Sequence, residues 1–72
     1  IMLLATAFLN EFNKKFGKRI SGFTPDAIEA LESYEWKGNV RELRNAIERI
    51  TLLESGEMIT NDSIRFLRVG MG

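Results

Sequence analysis

Seventy-two residues make one small domain, near the size at which a single hydrophobic core only just offsets chain entropy. Ten Lys plus Arg balance ten Asp plus Glu, so no overall basic field exists to hold nucleic acid or an anionic membrane. Cysteine and histidine are both absent, which excludes disulfides, thiolate chemistry, zinc sites and histidine-based acid–base catalysis, and fits a reducing compartment.

The opening run Ile1-Met2-Leu3-Leu4-Ala5 is too short to span a bilayer and lacks a basic flank. A first residue other than Met suggests a fragment of a longer chain. A first helix is expected from about Met2 to Phe16, where Leu4, Phe8, Phe12 and Phe16 recur every fourth residue. Ala5 and Leu9 widen that stripe, and Asn10, Glu11, Asn13 and Lys14 should face outward. Lys14 and Lys15 complement the negative helix end, and Gly17 can take the left-handed position beyond it.

Residues 18–22 read as a short connector. Thr24 is then a helix cap, Pro25 the first helical residue and Asp26 an acid on the helix dipole. Phe23 and Ile28 occupy the staple positions that flank such a start. This second helix should reach Ser33 or Tyr34 and bury Ala27, Ile28 and Leu31. Glu29 and Glu32 look solvated and show no sign of a closed carboxylate pair. Trp36, alone beside a turn, reads as a core anchor.

The segment Trp36-Lys37-Gly38-Asn39-Val40-Arg41-Glu42-Leu43 joins a helix stop to a helix start. Asn39 is a preferred N-cap and Glu42 stands three residues on, the capping-box spacing. Arg41 occupies the first turn, where the helix dipole favours an acid instead. Its helical neighbours Lys37, Arg44 and Asn45 include no acid, so sequence spacing offers it no intrahelical pair. A guanidinium beside helix-start amides suits an anion, and phosphate is the usual one.

The third helix should run from Val40 to about Ser55, with Val40, Leu43, Ile47 and Ile50 on one face and Arg41, Arg44, Asn45, Glu48 and Arg49 on the other. Leu52 falls on the polar side, which could mark a surface that meets another domain. Gly56 ends this helix. Thr60 caps a short fourth one from Asn61 to about Leu67, with Ile59 and Ile64 as its staple. Residues 69–72 have no periodicity and read as a tail or linker. Four helices, short connections and no strand pattern give an all-α, compact four-helix bundle over residues 1–68.

Trp36 to Leu43, followed by Asn45 and Glu48-Arg49, resembles the sensor II segment of sigma-54-dependent bacterial enhancer-binding proteins, which are AAA+ ATPases of the NtrC type. The flanks agree: Leu3-Leu4-Ala5 with Phe8-Leu9 is similar to the first lid helix of that family, and Phe23-Thr24-Pro25-Asp26-Ala27 with Leu31 to the second. The family commonly has Pro where this chain has Lys37, which loosens the turn before the third helix. The resemblance implies an AAA+ lid subdomain C-terminal to an α/β ATPase core, with ATP held between the two and magnesium supplied through that core. It places the phosphate sensor at Arg41 and sets Asn39 and Val40 beside the nucleotide. Implied partners are the core of the same chain, neighbouring subunits of a homo-oligomeric ring and, through the parent protein, sigma-54 RNA polymerase. The implied setting is the bacterial cytoplasm, with no membrane partner.

No GxxxxGK[ST] phosphate loop occurs in the chain, so no catalytic residue is assigned and the segment is expected to be non-catalytic by itself. An alternative is a helix-turn-helix DNA-binding module that uses the helix starting at Val40, with Arg41, Arg44, Asn45 and Arg49 as readers. Glu42 and Glu48 interrupt that face and the net charge is zero, which disfavours direct DNA contact.

Overall fold

The computed structural model describes residues 2–34, 36 and 40–64. In order the elements are α1 (Met2–Phe16), β1 (Gly22–Phe23), α2 (Pro25–Ser33), α3 (Val40–Leu53) and β2 (Met58–Ile59), and residues 61–64 form one further helical turn. The all-α lid-like architecture expected from the sequence is what forms. To it is added one parallel strand pair, Gly22 opposite Met58 and Phe23 opposite Ile59, which the helical periodicity did not signal. Residues 65–68 of the expected fourth helix, together with the tail, lie outside the described residues.

Helix α1 buries Ala5, Leu9 and Phe12, with Phe8 and Phe16 packed partly against the core. The four-residue phenylalanine row therefore forms one flank of the buried stripe, and Leu4, at its N-terminal end, is exposed. Gly17 takes φ 67°, the left-handed value that lets α1 stop at Phe16. Asn13 turns inward, contrary to its expected outward position. Its Nδ2 donates to Ile20 O at 2.9 Å and its Oδ1 accepts from Ile20 N at 3.1 Å, so one side chain satisfies both backbone groups of the connector's buried residue.

Thr24 caps α2 as expected, with its hydroxyl accepting from the Ala27 amide at 3.4 Å. The same hydroxyl donates to Asp26, and this bond is the main reason the Asp26 carboxyl sits below the usual carboxylate range. Ala27, Ala30 and Leu31 are buried, whereas Ile28 lies at the edge of the core. Tyr34 ends the helix in extended backbone while its amide still bonds Ala30 O at 3.0 Å. Trp36 donates from Nε1 to Leu31 O at 3.0 Å and packs on the core beside the Tyr34 ring, at 4.5 Å between centroids. It is the anchor its position suggested.

On α3 the buried set is Leu43, Ala46, Ile47, Ile50 and Thr51. Thr51 is the buried polar residue here, and its hydroxyl donates to Ile47 O at 2.7 Å, one turn back. Val40 is half exposed at 50%, because the core ends one turn further along at Leu43. The helix stops at Leu53, just short of the expected end.

Candidate functional site

Three basic side chains fix how α1 and α3 lie together. Arg44 Nη2 meets Glu11 Oε2 at 2.9 Å, Lys15 Nζ stands 3.8 Å from Glu48 Oε2, and Lys18 Nζ donates to the carbonyls of Leu52 at 3.1 Å and Glu54 at 2.6 Å. Partner numbers rise together, so the two helices run parallel and both begin at the same end of the bundle. Arg44 also stands over the Phe12 ring at 5.1 Å, and Lys15 lies near the Phe12 and Phe16 rings at 6.0 and 5.8 Å. The polar face of α3 is thereby divided. Arg44 and Glu48 turn into the seam with α1, whereas Arg41, Asn45, Arg49 and Leu52 remain exposed.

Of the residues singled out for binding, Val40 and Arg41 occupy the first turn of α3, both exposed. Asn39, with Lys37 and Gly38, lies outside the described residues, so its capping role has no geometry here. The N-terminal turn of α1 sits at the same end and exposes Leu3 by 90% and Leu4 by 41%. Exposed apolar groups gathered at one end of a helix pair suit contact with another protein surface. Among the described residues no three carboxylates gather as they would around a metal ion.

The opposite end is tied by polar contacts. Ser21 N donates to Glu57 O at 2.7 Å and Thr24 N to Ile59 O at 2.9 Å, extending the strand pair on both sides. The Glu54 carboxylate accepts from Ser63 Oγ and from the Gly56 amide, the latter at 2.9 Å. The Ser63 bond and then the Gly56 bond hold the Glu54 carboxyl below the usual carboxylate range, with Lys18 adding a smaller attraction. Lys18 meanwhile satisfies carbonyls at the end of α3 that no helical amide reaches. From sequence Lys18 is only part of a connector and Asn13 an outward polar residue. A lysine one residue past a helix-ending glycine was the available signal for the first; the second had none.

Over residues 1–67 the chain matches a described family, that of the AAA+ ATPase lid domain. The chain belongs to this family. The resemblance drawn from Trp36 to Leu43 and its flanks therefore holds. The chain is similar to the transcriptional regulatory protein ZraR of Salmonella typhi, 50% identical over 60 residues, which is 83% of this chain and 14% of that protein. The transcriptional regulatory protein XylR of Pseudomonas putida is 45% identical over 65 residues, covering 89% of this chain and 12% of XylR. The alginate biosynthesis transcriptional regulatory protein AlgB of Pseudomonas aeruginosa is 44% identical over 66 residues, 92% of this chain and 15% of AlgB. The chain thus spans about one seventh of the length of such relatives. No helix among the described residues is long and apolar enough to cross a membrane.

Proposed function

We propose that this chain is the lid of a bacterial, cytoplasmic transcription activator that hydrolyses ATP to remodel sigma-54 RNA polymerase, and that Arg41 is its phosphate sensor. The observation that carries this reading is the placement of Arg41, exposed in the first turn of α3, at the end where α1 also begins. An ATPase core joined ahead of α1 would meet the bundle at this end. Leu3, Leu4 and Val40 would then lie against the core and Arg41 would reach toward bound nucleotide, with Val40 and Asn39 beside it.

ATP supplies the free energy of γ-phosphate cleavage, and magnesium would be held by the core. The contribution of this chain is positional. Arg41 contributes a fixed positive charge that bonds phosphate oxygens and is sensitive to whether the terminal one is present. Parallel packing of α1 on α3, together with the pinned connectors, lets that contact move the lid as one body. By itself the lid catalyses nothing. A ring of such subunits would carry the motion to the polymerase.

DNA reading from α3 is not retained. Arg44, one of the four residues that reading assigns to DNA, is engaged with Glu11 and the Phe12 ring.

The test is nucleotide discrimination by the intact parent protein. Wild type should bind ATP more tightly than ADP, and Arg41→Ala should lose about tenfold of that preference, the loss of one charge-assisted bond. Unchanged discrimination in the folded variant would remove Arg41 from the site.

A further inference from the structure

The charges of α1, α2 and the connector between them that take no part in ion pairs among the described residues segregate along the chain, bases at the end of α1 and in the connector after it, acids on α2. Residues 14–19 hold Lys14, Lys15, Lys18 and Arg19 with no acid among them. Lys15 is drawn toward Glu48 and Lys18 to the end of α3, whereas exposed Lys14 and Arg19 have no ion-pair partner among the described residues. Helix α2 carries Asp26, Glu29 and Glu32 and no base. Glu29 and Glu32 are exposed and likewise have no ion-pair partner among the described residues.

Helical geometry sets Lys14 and the α2 acids back to back. At 100° per residue, Lys14 stands roughly opposite the buried Ala5, Leu9 and Phe12 stripe of α1. By the same count Glu29 and Glu32 stand roughly opposite buried Ala27, Ala30 and Leu31 on α2. Both helices turn their buried sides to one core, so within a single copy Lys14 points away from Glu29 and Glu32, and no ion pair among the described residues joins either acid to Lys14 or Arg19. Beside Glu29 a concavity of about 320 Å³ is lined by Asp26, Glu29, Ala30, Ser33 and Asn61, with room for the tip of a cationic side chain.

We propose that this outward face of α2 docks onto the Lys14–Arg19 segment of a second copy of the chain. The contact is head-to-tail: each copy has one acidic and one basic face, so it is heterologous and can propagate around a ring. Its charges sit at the rim and in water, which makes a single contact weak, on the order of millimolar, and strongly salt-dependent. Tethering in an oligomer supplies an effective concentration of that order. The contact rests on the proposed function only for the oligomer in which it is used.

Sedimentation equilibrium of the 72-residue chain tests it without nucleotide, so the result is separate from the fate of Arg41. At about 1 mM and low ionic strength wild type should self-associate, and the association constant should fall by at least about tenfold in high salt. Lys14→Glu with Arg19→Glu should be monomeric, and Glu29→Lys with Glu32→Lys should be monomeric too. An equimolar mixture of the two double variants restores complementary faces and should associate. Monomeric wild type, self-association by either double variant, or no association in the mixture would each overturn the proposal.

Discussion

The two ends of the bundle are built on different terms. At the end where the connectors meet, Ser21 and Thr24 donate to Glu57 and Ile59, Asn13 holds Ile20, Lys18 caps the carbonyls of Leu52 and Glu54, and Glu54 accepts from Gly56 and Ser63. At the end where α1 and α3 begin, Leu3, Leu4, Val40 and Arg41 all face outward. A domain this small holds its shape by satisfying polar groups at one end. The apolar surface and first-turn arginine at the other suit a second surface. Substitutions at the tied end and in the core should therefore cost stability, and substitutions at the open end should cost function.

The largest loss is expected from Phe12→Ala. Phe12 is fully buried between α1 and α3, and removing its ring should cost about 3–5 kcal/mol, comparable to the whole stability of a domain this size. Urea denaturation should show the variant largely unfolded in water; a midpoint close to wild type would mean that the α1/α3 seam is not the core. At the tied end, Asn13→Ala leaves the Ile20 amide and carbonyl without their partner and should cost about 1–2 kcal/mol. Thr24→Ala removes the α2 cap and should cost about 1 kcal/mol, read from the same denaturation curves.

A smaller effect follows from Glu54. Its folded carboxyl is held below the usual range, so its contribution to stability is fully present above the unfolded value and is lost as pH falls through the folded one. Glu54→Gln should flatten the acid limb of a stability-against-pH curve while changing neutral-pH stability modestly. An acid limb identical to wild type would show that the Ser63 and Gly56 bonds do not hold in solution. Smallest of all is the expected stability change for Arg41→Ala, within about 0.5 kcal/mol, as for an exposed helix position.

Local chemistry was legible wherever it announced itself through neighbours in sequence. Thr24-Pro25-Asp26, Gly17 and the apolar periodicities of α1 and α3 each encode their structure within a few residues, and each appears in the structure as read except at the helix starts, where Leu4 and Val40 are exposed. Contacts that depend on how distant segments meet were not legible. The strand pair joins residues 22–23 to 58–59, and two-residue strands are too short to show alternation. Asn13 reads as an outward polar residue until the connector folds back beneath it. Arg44 and Glu48 look like members of one solvated face with Arg41 and Arg49, and only the position of α1 separates them. For the candidate site, the sequence marked Arg41 by the misfit between its charge and the helix dipole. That the N-terminal end of α1 lies alongside required the structure.

The most direct test of the account is steady-state ATP hydrolysis by the intact parent protein carrying Arg41→Ala, measured beside Arg49→Ala on the same exposed face of α3. The account predicts that hydrolysis falls by tenfold or so or more for Arg41→Ala, with the fold retained, and stays near wild type for Arg49→Ala. Wild-type rates in both would contradict it, and leave Arg41 a surface residue of the lid.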